Sequence, residues 1–184
     1  MTELATLRDA LVEELKDLYS AEQQLLQALP KMERRVSNDD LKDAFRSHLA
    51  ETKQQVDRLN QIAHALHTKL TGKVCVAMQG LIEEGNQTMQ QDGQNEDLLD
   101  VVLVGCAQRI EHYEIAAYGA ARAIADALGE EEIADLLDRT LAEESAANEK
   151  LSAIAEEDLL PELARLDSEM QDEEGEEGAG AEAK

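Results

Sequence analysis

The stretch LATLRDALVEELKDLYSAEQQLLQAL, residues 4–29, decides the fold. Leu4, Leu7, Leu11, Leu15, Leu18, Glu22, Leu25 and Leu29 recur in steps of three and four, the spacing of one face of a long amphipathic helix. Thr2 is the expected N-cap, with Glu3 in the first turn, and Pro30 is expected to kink or reset the helix. Beyond it, Ser37-Asn38-Asp39-Asp40 stops one helix and caps the next. The second stripe is Leu41, Phe45, His48, Thr52, Gln55, Leu59, Ile62 and Leu66, in a region that Gly72 ends. A shorter helix is predicted within 73–91, with Val74, Ala77, Met78, Leu81 and Ile82 on its apolar side. After a loop at 91–95, capped by Asn95, comes the stripe Leu99, Leu103, Cys106, Ile110, Glu114, Ala117, Ala121, Ile124 and Leu128. Gly129 closes that helix. The last stripe is Ile133, Leu137, Thr140, Glu144, Ala147, Leu151 and Ile154. Short turns near 38 and 129 force two antiparallel hairpins, and the long stretch from about 68 to 96 joins them. The expected architecture is all-α: a ferritin-like four-helix bundle with a short fifth helix in the crossover connection.

Composition agrees. Of 184 residues, 2% are aromatic and two are proline, against an all-β sandwich or barrel. No apolar run approaches the length of a membrane span, and the N-terminus lacks the pattern of a signal peptide, so the expected location is the cytoplasm. Cys75 and Cys106 have no ligand-like spacing and read as reduced, buried thiols. The formal net charge of −24 disfavours nucleic acid as a partner. From Asp167 to Lys184 there are eight acids and one base. That segment has no apolar face and is expected to form a disordered tail outside a bundle of residues 1–166. The acidity of the bundle itself suits a salt-rich cytoplasm, which screens its self-repulsion; an ordinary acidic surface is the plainer explanation.

The apolar stripe of each of the four long helices is interrupted by a polar insertion. Glu22 lies between Leu18 and Leu25, and Glu114 between Ile110 and Ala117, with Glu111 one turn earlier. Glu144 lies between Thr140 and Ala147, and the second stripe turns polar at His48, with Glu51 three residues on. A buried ionised carboxylate without a partner costs several kcal/mol. Their heights match. Glu22 precedes Asn38 by 16 residues, while His48 and Glu51 follow it by 10 and 13. Glu111 and Glu114 precede Gly129 by 18 and 15, and Glu144 follows it by 15. At about 1.5 Å per residue all lie roughly 15–27 Å from their own turn, at mid-bundle. Carboxylates bridge divalent ions well, and imidazole suits iron or zinc. The expected site is a dinuclear iron centre held by Glu22, His48, Glu51, Glu111, Glu114 and Glu144, with zinc or manganese as substitutes and no catalytic residue apart from the ligands. Glu143 rivals Glu144, since one residue rotates the choice by about 100°. Singly, a stripe glutamate could instead pair with Arg109 or Lys53, and His48 could be a hydrogen-bonded core histidine. His112 is expected beside the site or exposed, and His64 and His67 solvated. Tyr19, Tyr113 and Tyr118 are expected to pack while keeping a hydroxyl for bonding.

At these residues the chain resembles the YciE/YciF family of ferritin-like stress proteins. The resemblance is carried by Asp17-Leu18-Tyr19-Ser20-Ala21-Glu22-Gln23-Gln24-Leu25, His48-Leu49-Ala50-Glu51-Thr52, the run from Cys75 to Gly85, Glu111-His112-Tyr113-Glu114-Ile115-Ala116-Ala117-Tyr118-Gly119 and Thr140-Leu141-Ala142-Glu143-Glu144. It covers roughly residues 3–157. It implies a ferritin-like bundle, usually dimeric, tied to stress responses and described as a ferroxidase. One feature departs from the common di-iron layout of Glu-x-x-His on two helices. Here the order is His48-x-x-Glu51, and Glu144-x-x-Ala147 carries no histidine. Three functions therefore compete: oxidation of Fe(II) by O2 or peroxide, a non-catalytic metal-binding or structural role as a homodimer, and a bundle whose acids share protons without metal.

Overall fold

The computed structural model describes residues 4–90 and 95–181, with side chains up to Gln171; the expected cap at Thr2 and most of the loop at 91–95 lie outside the described residues. Helix α1 spans Leu7–Arg35. It starts where Thr6 accepts a hydrogen bond from the Asp9 amide while the Asp9 carboxylate accepts from the Thr6 amide at 2.9 Å. This reciprocal cap satisfies two free donors at once. Leu4 and Leu7, expected in the stripe, are exposed because the bundle begins only at Leu11. Pro30 does not break α1, since buried Leu29, Met32 and Val36 hold the chain on its course.

Helix α2, Asp39–Ala65, is capped by Asn38. Every residue of its predicted stripe is buried, from Leu41 to Leu66. It stops at Ala65 rather than near Gly72, because His67 adopts a φ of 51° and the Thr68 amide turns back to the Ala63 carbonyl. The crossover carries α3, Val76–Met89, whose cap is Cys75. The Cys75 amide donates to the Ser20 hydroxyl and its carbonyl accepts from Gln24, which pins the crossover to α1. Helix α4, Glu96–Ala127, starts at Asn95 as expected. The chain reverses at Gly129, whose φ of 72° is the left-handed conformation that favours glycine. Helix α5 is Glu131–Ala153.

After α5 come a π turn, Ile154–Leu159, and α6, Leu160–Ala181. Pro161 cannot donate to the preceding turn, and π geometry is where such a lost bond is absorbed. Helical backbone runs on to Ala181, past the start of the acidic segment at residue 167.

Helices α1 and α2 form one antiparallel hairpin and α4 and α5 the other; α1 packs on α4, α2 on α5, and α3 lies against α4 and α1. The apolar core is divided in two. One cluster, with Leu25, Leu29, Leu41, Phe45, Leu99, Leu103 and Leu151, fills the end near the α1–α2 turn. The other, with Leu11, Leu15, Leu18, Leu59, Ile62, Ala121 and Leu137, fills the opposite end. Between them lies a polar layer.

Candidate metal centre

The layer collects Glu22 from α1, His48, Thr52 and Gln55 from α2, Glu111 and Glu114 from α4, and Thr140 and Glu144 from α5, all buried. Each interrupts its stripe at the residue where the helix crosses mid-bundle, so the same turn that buries its leucine neighbours buries the acid. His48, Glu111, Glu114 and Glu144 each offer a ligand atom within 4.8 Å of the others. His48 Nε2 lies 3.4 Å from Glu111 and 3.7 Å from Glu144, and its Nδ1 lies 3.5 Å from Glu51.

Two expected ligands sit at the margins of this group. The Glu22 carboxylate faces Glu114 and accepts a hydrogen bond from the Tyr118 hydroxyl, the polar handle of an otherwise core-packed ring. Glu51 is the least buried, with 37% of its side chain exposed, and approaches only His48. Of the rivals on α5, Glu144 enters the layer, while Glu143 turns aside to the Arg58 guanidinium at 2.6 Å. Arg58 also donates to the Thr140 hydroxyl, and the Gln55 amide bridges Glu143 and Glu144. The cation at the edge of the layer is therefore Arg58. Arg109 instead lies 3.9 Å from Glu84, and Lys53 is exposed. Sequence reasoning passed over Arg58 because it lies off the stripe; its spacing one turn after Gln55 was the available signal. His112, His64 and His67 are exposed. Tyr113 donates to Asp17 and touches the Cys75 sulfur at 2.9 Å, away from the cluster. Both cysteines are buried and free.

The electrostatics show what the layer lacks. Glu22 Oε2, both His48 nitrogens, Glu111 Oε2, both Glu114 oxygens and Glu144 Oε2 are buried without a hydrogen-bond partner; apart from Arg122 Nε, these are the only such atoms among the described residues. Each buried orphan costs about 1–3 kcal/mol. Burial, opposed by the Tyr118 hydroxyl, pushes the Glu22 carboxyl up to about 7. Burial and the neighbouring charges of Glu22, Glu144 and Glu111 hold Glu114 well above the carboxylate range. Burial followed by Glu22 and Glu111 does the same to Glu144. Burial also raises Glu111, although the charge of His48 opposes it. For His48 burial favours the neutral ring, but Glu111, Glu51 and Glu22 together outweigh it and raise its pKa. The layer thus holds more acidic groups than it can ionise together, along with unpartnered polar atoms, in a low dielectric. A hard cation satisfies both deficits, so the donor set fits a metal ion.

Comparison with known proteins gives the relationship. The chain is 42% identical to protein YciF of Escherichia coli strain K12 over 153 residues, covering 83% of this chain and 92% of that protein. The crystal structure of the E. coli stress protein YciF superposes with a TM-score of 0.79, covering 83% of this chain and 96% of that one. YcfI from Rhodopseudomonas palustris matches at 42% identity and TM-score 0.80, covering 84% of this chain and 98% of its own. A protein from Xanthomonas campestris, 24% identical, shares the fold at TM-score 0.69, with 88% of this chain and 99% of that chain covered. The model of the family described as domain of unknown function DUF892 matches residues 6–164, and the chain belongs to that family.

Proposed function

We propose that the mid-bundle layer is a dinuclear iron centre at which Fe(II) is oxidised by O2 or peroxide. The observation that carries this reading is the concentration of orphaned ligand atoms from all four long helices in one buried layer. His48, Glu111, Glu114 and Glu144 would hold one ion, and Glu22 with the other oxygen of Glu114 a second, leaving Glu51 as an entry-side ligand. Iron bound there would supply one-electron steps to an oxidant, and hard carboxylate oxygens favour its ferric state. The protein's own residues do the rest. Gln55 holds Glu144 through its amide, Arg58 fixes Glu143 and Thr140, and Tyr118 orients Glu22. The two apolar clusters close the layer off above and below. The acidic surface raises the local concentration of divalent ions.

Elemental analysis of untreated protein, together with the anomalous signal of a crystal, tests the assignment. The expected result is about two iron ions per chain, lost in Glu114→Ala. A Glu114→Ala protein with full metal content and an unchanged rate of Fe(II) oxidation would refute it. A second reading, a metal-binding or structural stress protein without turnover, acting as a homodimer, is favoured by the single buried histidine, which leaves the second ion an all-oxygen site. Iron that binds and stays ferrous under air would decide for it.

A further inference from the structure

A cleft of about 310 Å³ opens between α2 and α5 and ends on the polar layer. That volume is at the lower limit of small-molecule sites. Ala44, Ala146 and Ala147 leave room there that larger residues would fill, with Ala44 buried, Ala147 half-buried and Ala146 exposed to solvent. Phe45 and Leu151 complete the walls. The floor is made by His48, Glu51 and Glu111, and Lys150 stands at the rim. The walls and the floor therefore ask for different chemistry. A passage for hydrated cations would be lined throughout with carboxylates and hydroxyls, whereas these walls are mostly hydrocarbon, apart from Ser47 and Glu143, the latter held by Arg58. The floor presents an acceptor without a partner, Glu111 Oε2, beside the unpartnered His48 ring, on residues only 3–5% exposed. An anion would be repelled by Glu51 and Glu111, and a fully apolar molecule would leave the acceptors bare.

We propose that this cleft binds a small neutral molecule with a hydrocarbon body and one hydroxyl or hydroperoxyl end, the body against Ala44, Phe45, Ala146, Ala147 and Leu151 and the O–H donating to the His48–Glu111 floor. The site rests on the shape and lining of the cleft and stands whether or not the layer holds iron. If it does, the proposed function gains a preference for organic hydroperoxides over hydrogen peroxide as the oxidant that reaches the centre.

The test is a titration of the full chain with cumyl alcohol, followed by methyl NMR of labelled alanine and leucine, before and after metal removal with a chelator. Saturable shifts at Ala44, Ala146, Ala147 and Leu151 are expected, with glycerol producing none. Ala147→Leu, checked for unchanged helix content, should weaken binding by about tenfold, and His48→Gln should weaken cumyl alcohol more than the fully apolar probe cumene. Absence of saturation, shifts spread over other surfaces, or unaltered affinity in Ala147→Leu overturns the proposal. So do shifts at these alanines that depend on protein concentration without ligand, since a second copy would then fill the cleft. Failure to find iron leaves this result untouched, so the two readings fail separately.

Discussion

The pH dependence of the metal-free protein follows from the charge in the layer. Burial lifts the Glu22 carboxyl from 4.5 to about 7. A group with a raised folded pKa prefers to be protonated in the fold. Its favourable contribution is complete below its unfolded pKa and is lost as pH rises through the folded value. Stability should therefore fall between about pH 4.5 and 7. With 1.36 kcal/mol per pKa unit, Glu22 alone removes about 3 kcal/mol over that window. Glu111, Glu114 and Glu144 shift in the same direction and add to the fall. For a chain of this length 3 kcal/mol moves the melting temperature by on the order of 10 °C. The assay is thermal unfolding by circular dichroism at fixed ionic strength from pH 4.5 to 8, on chelator-treated protein and on Glu22→Gln. Glutamine keeps an acceptor for the Tyr118 hydroxyl and cannot ionise, so the variant should lose about 3 kcal/mol less across the window. Loading with metal should reverse the slope, because the ion binds the ionised carboxylates and protonation competes with it. A metal-free melting temperature that stays flat or rises from pH 5 to 7.5, or a Glu22→Gln protein with the slope of the parent, would refute the account of the layer.

Other outcomes follow from single contacts. Arg58→Met removes the cation that orients Glu143 and Thr140, and should weaken iron binding by about 10–100-fold in competition with a chelator while the fold survives. Asp100, fully buried on α4, accepts from the Ser37 amide, the Ser37 hydroxyl and the Asn38 amide, and so ties the α1–α2 turn to the other hairpin. Asp100→Ala should cost about 3 kcal/mol in urea unfolding by leaving those donors unmatched. Added salt should raise the melting temperature, since the net charge of −24 repels itself; a melting temperature indifferent to salt would show that this repulsion is not limiting.

Legibility in the sequence varied with the reach of the interaction. The stripes in α2, α4 and α5 were readable because a helix repeats its buried face every three to four residues, and this period survives any tertiary arrangement. The acids at Glu22, Glu114 and Glu144 were readable for the same reason: an ionisable residue inside an apolar stripe is conspicuous. Helix ends were less so. Thr6 rather than Thr2 starts the described part of α1, and His67 ends α2 before Gly72, because caps depend on which amides the packed core leaves free. The π turn and α6 were not foreseen, since one proline can end a helix or be absorbed in it.

The sequence by itself determined an all-α chain of two hairpins and the levels at which its acids lie, since helical period and rise are local properties. Which carboxylate of an adjacent pair enters the layer, which arginine balances its edge and which aspartate locks the turn were decided only by tertiary structure. Glu143, Glu144, Arg58 and Asp100 differ in role through partners distant in sequence, 82 to 89 residues apart for the first three and 62 to 63 for Asp100. Pairing across that distance depends on the rotation of each helix about its own axis, and packing of the whole core sets that rotation.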